Sequence, residues 1–174
     1  MTSSPSPTSL KLKLAPLTAI WFIAFTDPAP RRLWPDTPGV RGWWDEANSN
    51  DLRENPFQKY VKVVGTEMGR IAAYAKWDLS TPEERGRRYP PWHADMPAAD
   101  MILDTLATHP DYQRRGAGSM LLQWGCGLAD EDSVALYVDA SKAGASLYQR
   151  FGFVDESEPD AGEMASMARA RRVR

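Results

Sequence analysis

The chain has 174 residues, a length that one domain fills and that buries a single core without staples. Hydrophobic residues make up 43% and charged residues 25%, with a formal net charge of −2, so nothing points to nucleic acid or an anionic membrane as the main partner. The single cysteine, Cys126, excludes an intramolecular disulfide and agrees with a reducing compartment, and the two histidines, His93 and His109, lie outside any metal-ligand spacing.

No metal is therefore expected. No apolar run reaches the roughly 20 residues of a membrane span. Residues 14–25 are apolar, but Pro16 interrupts them and Asp27-Pro28 soon ends them, without a convincing cleavage site. A cytoplasmic location is the expectation.

Residues 1–9, rich in Ser, Thr and Pro, read as a disordered tail, and residues 10–174 as one domain. Residues 10–14 alternate leucine and lysine, the period of a half-buried strand. Residues 17–25 predict a short helix with a broad apolar face, stopped by Pro28 and Pro30. A second helix is expected over 39–52, with Trp43 and Trp44 mostly facing the core. Residues 60–64 and 70–79 read as a hairpin joined by the turn 65–69. Residues 80–99, rich in proline and charge, form a long loop of the kind that is usually a functional lid or disordered.

Residues 101–108 alternate again and place Ile102, Asp104, Leu106 and Thr108 on one face. A helix over 116–129, a strand over 134–138, a helix over 141–150 and a closing strand over 164–169 follow. The strand–helix–strand unit spanning 101–138 is a right-handed parallel crossover by the usual handedness rule. The fold class is α/β, a mixed twisted sheet with helices on both faces. The basic end, residues 169–174, reads as the end of an edge strand with solvated charges.

The residues that carry chemistry begin at Gln113-Arg114-Arg115-Gly116-Ala117-Gly118, between that strand and an apolar helix opening with Ser119. Two glycines at a helix start let backbone N–H groups approach an anion without hindrance from a Cβ. The helix dipole favours negative charge there, and Arg114 and Arg115 add positive charge beside a pyrophosphate. The plainer alternative is a glycine-rich turn whose arginines are merely solvated.

Residues 103–118 resemble the strand-plus-loop motif of the GNAT acetyltransferase superfamily, with Pro110 and Tyr112 at the family's offsets. Residues 146–153, Ser-Leu-Tyr-Gln-Arg-Phe-Gly-Phe, resemble its second signature. The two motifs, in order, resemble those of fungal-type GNAT-domain proteins, and the likeness is weaker before Met101. The resemblance implies a single GNAT-like domain that binds acetyl-CoA. Leu106, Ala107 and Thr108 would offer backbone groups to the pantetheine arm. Gln113, Arg114, Arg115, Gly116, Ala117 and Gly118 would wrap the pyrophosphate, with Ser119 assisting at the helix start. The thioester would lie in a gap between splayed strands, here 101–108 and 134–138. Where many members carry an asparagine, this chain has Lys142 with Ser141 beside it, and Ser141 is counted with the cofactor-binding set.

The implied reaction is direct acetyl transfer from acetyl-CoA to a small-molecule amine, without a covalent enzyme intermediate. An alkylammonium has a pKa near 10.4, so its deprotonation at pH 7 costs about 4–5 kcal/mol and a base is useful. Asp104, two residues from a presumed oxyanion donor on a bulged strand near Leu106, is the candidate base; its other reading is a partnered structural aspartate. Tyr148 matches the family tyrosine before the Gly-Phe pair and is the candidate acid for the departing thiolate; its other reading is packing. His93 either serves the substrate side or is a solvated loop histidine. His109 has a surface role by default, and Cys126 is a small core residue. Acceptor-facing walls are expected from the early helices and the 80–99 loop, including Trp34, Trp43, Trp77, Tyr89 and Trp92. A homodimer is left open. The alternative function is a non-catalytic or repurposed acyl-CoA-binding module.

Overall fold

The computed structural model describes residues 15–66, 69–80, 101–158 and 162–172. The expected tail and first strand, His93, Tyr89, Trp92 and the loop beyond Ser80 lie outside the described residues. The helices are α1 (Ala15–Ala24), α2 (Pro28–Leu33), α3 (Pro38–Glu54), α4 (Ala117–Asp132) and α5 (Lys142–Gln149). The strands are β1 (Gln58–Val64), β2 (Ile71–Asp78), β3 (Met101–Thr108), β4 (Leu136–Ser141), β5 (Val154–Asp155) and β6 (Met164–Arg169).

The strands form one sheet in the order β1-β2-β3-β4-β6-β5. All neighbouring pairs are antiparallel except β3 with β4, the two ends of the expected crossover. A core cluster lies on each face, so this is the mixed α/β sheet that the alternating pattern implied. Beneath α4 and α5, Leu121, Leu122 and Tyr148 meet Ala75, Trp77, Leu103, Val138 and Met167 of the sheet. On the opposite face Leu17, Ile20, Trp21 and Phe22 of α1 meet Tyr74 and Ala107. In the first cluster α4 comes so close to β2 that a Cβ on Gly125 would lie 2.2 Å from the buried Trp77 ring. A glycine inside a helix is otherwise unfavourable, so close approach is its reason here.

Several local expectations are corrected. Pro28 does end the apolar helix, but it also starts α2, because a proline at the first helical position gives up an N–H that would be unpaired anyway. Pro38 does the same for α3, whose N-cap Thr37 accepts a hydrogen bond from the Val40 N–H at 3.3 Å. Trp43 and Trp44 do not both face the core. Neighbours on a helix point about 100° apart, and Trp43 is 51% exposed, stacked on Trp34 at 5.1 Å.

Nor is β6 an edge strand; it lies between β4 and the two-residue β5, which the sequence did not suggest. Arg169 is accordingly 4% exposed. Its guanidinium grips Asp130 of α4 through nitrogens at 2.8 and 2.9 Å, and its Nε donates to the Phe151 carbonyl at 2.9 Å.

Candidate active site

β3 and β4 pair only at their first residues, Met101 with Leu136 and Ile102 with Tyr137. Beyond Ile102 they part, and among the described residues no strand pairs with the β3 edge that faces β4. Parallel strands bind ligands outside their carboxyl ends, at a switch in strand order. α4 follows β3 and α5 follows β4, so two helix N-termini lie at the mouth of this gap.

On its other side β3 carries a bulge. Lys76 stands opposite Thr105 and Trp77 opposite Leu103, which leaves Asp104 as the extra residue. The extra residue inverts the alternation. Met101, Leu103 and then Leu106 pack in the α4–α5 core, whereas Ala107 packs beneath α1. Asp104 therefore does not share the Leu106 face, contrary to the simple alternation. Its carboxylate lies 3.5 Å from Lys76 Nζ, and that ammonium is 2.7 Å from Asp51 of α3. Nor is it buried, with its side chain 33% exposed. The Tyr60 hydroxyl, within 2.9 Å of Asn48 and 3.2 Å of Asp51, completes the polar group on this face. Burial and the Asp51 carboxylate push that phenol well above its ordinary range.

At the end of β3 the His109 N–H donates to the Ala72 carbonyl at 2.9 Å, and the short turn Pro110–Tyr112 leads into the cradle. The Gln113 side-chain amide folds back toward the Thr108 carbonyl at 3.5 Å, and its backbone N–H closes the short turn on the Pro110 carbonyl at 3.1 Å. Arg114 (φ 61°) and Gly116 (φ 87°) both adopt left-handed conformations. For Arg114 this costs about 1–2 kcal/mol, the kind of strain that collects at binding sites. Gly116 is the N-cap of α4 and supplies no side-chain cap, so the first-turn N–H groups of Ala117, Gly118 and Ser119 remain available to an anion. Gly118 brings three elements together: a Cβ there would meet Leu147 of α5 at 3.3 Å and Leu106 of β3 at 3.5 Å.

Ser141 caps α5, its hydroxyl oxygen accepting the Gly144 N–H at 3.2 Å. Two turns further along, Tyr148 is 7% exposed, with its ring edge-on to Phe153 at 5.7 Å. Burial pushes its hydroxyl up to about 12. His109 accepts the Asp111 N–H at 3.2 Å, and Cys126 is a buried thiol raised mainly by burial. Trp77 is fully buried under α4 and is not an acceptor-facing aromatic. Lys76, Asp51 and Tyr60 were not singled out from the sequence. Their grouping depends on long-range strand and helix neighbours, and no local motif announces it.

The residues present fit a thioester carrier with a diphosphate: an uncapped helix mouth for the anion, then an unpaired strand edge for an amide-bearing arm. This defines the class, an acyltransferase-type α/β domain built on a split sheet. Residues 61–155, more than half of the chain, match the family model described as Acetyltransferase (GNAT) domain. The chain belongs to the GNAT acetyltransferase family. It is 38% identical over 66 residues to an acetyltransferase of Stachybotrys chartarum, a match covering 36% of this chain and 29% of that protein. Among solved structures it is similar to one described as histone acetyltransferase HPA2 and related acetyltransferase from Corynebacterium glutamicum, with TM-score 0.69, 21% identity and 95% of each chain covered. It is also similar to a PaiA N-acetyltransferase from Thermoplasma acidophilum solved in complex with coenzyme A. There the TM-score is 0.59 at 13% identity, covering 90% of this chain and 88% of that one.

Among the described residues no helix is long and apolar enough to cross a membrane, and no cluster of His, Cys, Asp and Glu is arranged to hold a metal ion.

Proposed function

We propose that this protein transfers an acetyl group from acetyl-CoA directly to the amine of a small molecule. The carrying observation is the coincidence of three features at one place: the parting of β3 and β4, the left-handed turn at Arg114 and Gly116, and the uncapped start of α4. The coenzyme A complex of the similar Thermoplasma protein supports the choice of carrier.

Acetyl-CoA would supply the activated acyl group. The chain's own part is positioning and proton handling. Backbone N–H groups at residues 117–119 hold the diphosphate, Arg114 and Arg115 add charge, and β3 from Leu106 to Thr108 aligns the arm. Ser141, already capping α5, keeps its hydroxyl proton free to donate toward the arm. The acceptor amine must lose a proton, at a cost of about 4–5 kcal/mol at pH 7 whichever route the proton takes. Asp104, partly open to solvent and 3.5 Å from Lys76 Nζ, is the group we assign to receive it and pass it to water. Tyr148 Oη serves the other end. A hydroxyl with a pKa of about 12 stays protonated at neutral pH, so it can donate to a departing sulfur.

Full proton transfer from a group at about 12 to a thiolate of about 8.5 is uphill by about 5 kcal/mol. Hydrogen-bond donation is therefore the role this tyrosine can fill; the released thiolate then takes its proton from the acid of the surrounding solution, since a thiol of about 8.5 is mostly protonated at pH 7. The reading is tested by calorimetry with coenzyme A, then by thiol release and product mass over a panel of amines. Binding with thiol release and an acetyl-sized mass gain is the expected result. Tight binding with no release for any amine would favour a non-catalytic acyl-CoA-binding module.

A further inference from the structure

Tyr112 ends the short turn before the cradle, and its ring rests on Gly65 after β1. A Cβ on Gly65 would lie 2.8 Å from the ring carbon Cε1 and 2.9 Å from the hydroxyl oxygen. Gly65 does not have positive φ, so the neighbouring ring, and not backbone conformation, is what calls for glycine here. The His109 ring meets Tyr112 edge-on at 5.9 Å. The Arg115 guanidinium lies over the Tyr112 face, its carbon 5.9 Å from the centroid. Tyr112 thus touches the β1–β2 connection at its hydroxyl end and carries a cation over its ring.

Arg115 is exposed and stands between the two left-handed residues of the turn. An unrestrained arginine there would spread over many rotamers and lose side-chain entropy on meeting an anion. A ring face beside the guanidinium restricts it beforehand, and a guanidinium held by its face can still fork its N–H edges onto a phosphate. We propose that Tyr112, seated on Gly65, is a positioning residue that aims Arg115 at a phosphate of the acyl carrier. The proposal rests on the acyl-CoA reading of the cradle.

The experiment is calorimetry with coenzyme A and with dephospho-coenzyme A, which lacks the 3′-phosphate, together with KM and kcat for acetyl-CoA. Arg115→Gln and Tyr112→Ala should each weaken coenzyme A binding about fivefold. The double variant should be no weaker than either alone, because one interaction is removed twice. KM should rise with kcat little changed. Tyr112→Phe, which keeps the ring, should bind within about twofold of the parent.

Gly65→Ala is the remote probe, since it reaches the cradle only by displacing the ring. It should weaken binding when Tyr112 is present and have no effect in the Tyr112→Ala background. If the Arg115→Gln loss persists with dephospho-coenzyme A, the pyrophosphate is the target; if it vanishes, the 3′-phosphate is. Either supports the proposal. Additive losses in the double variant, or a Gly65→Ala effect independent of Tyr112, would overturn it. A parent protein that binds neither form would instead sink the acyl-CoA reading, whereas parent binding unaffected by Arg115→Gln sinks this inference alone.

Discussion

Replacing Tyr148 by Phe removes one oxygen and leaves the ring in place. The ring is 7% exposed and edge-on to Phe153 at 5.7 Å, contacts that phenylalanine keeps. The expected change in stability is therefore small, within about 1 kcal/mol. Activity should change more. A hydrogen bond to a charged partner contributes about 1.5–3 kcal/mol, or roughly 10- to 150-fold in rate if it forms mainly as the sulfur departs. Because burial pushes the hydroxyl up to about 12, it is protonated from pH 6 to 9, and the loss should be uniform across that range. Steady-state thiol release at saturating acetyl-CoA, read at several pH values beside urea unfolding, measures both quantities. An unchanged kcat at every pH would show that the hydroxyl only packs. A loss matched by a comparable drop in stability would show that the ring's seat was misjudged.

Asp104→Asn should lower kcat/KM for the amine about 100-fold or more if the carboxylate takes the proton; parent-like activity would remove Asp104 from the mechanism. The fold should survive that change, since Lys76 keeps Asp51 at 2.7 Å. Asp130→Ala should destabilise by about 3–5 kcal/mol, because it strands the buried Arg169 guanidinium. Arg169→Met should cost less, since Asp130 is 31% exposed and can be hydrated; urea unfolding of both variants gives the order, and the reverse order would contradict it. Alkaline titration should expose the buried phenols. Tyr137 and Tyr148 are both held at about 12, raised above the unfolded value, so their contribution is intact below about pH 10 and is lost as pH climbs toward 12. Circular dichroism should then show stability falling over that interval and not below it; a flat response would contradict their burial.

Much of the sheet was legible because its strands carry a period. The alternation over 101–108 and the run over 164–169 matched β3 and β6 at both ends. The turn into α4 was legible because glycine, arginine and an apolar helix start are neighbours in sequence. What escaped depends on partners far along the chain. A bulge is a slip against β2, and nothing in the order Leu103-Asp104-Thr105-Leu106 records it. The interior place of β6 follows from β5 pairing outside it, and a two-residue strand has no period to read. The exposure of Trp43 follows from the direction of α3, and its stacking partner Trp34 lies in the link before that helix.

The parting of β3 from β4 also bears on how the sheet holds together. Two half-sheets, β1–β2–β3 and β4–β6–β5, meet through two residue pairs and the chain that loops over them through α4. Such a seam has few backbone bonds of its own, and a carrier lying along it would act as mortar between the halves. Occupancy would then be mechanical as well as chemical. At a hundredfold excess over its dissociation constant, a ligand specific to the native state adds about 2.7 kcal/mol, and amides beside the seam should be where hydrogen exchange slows most.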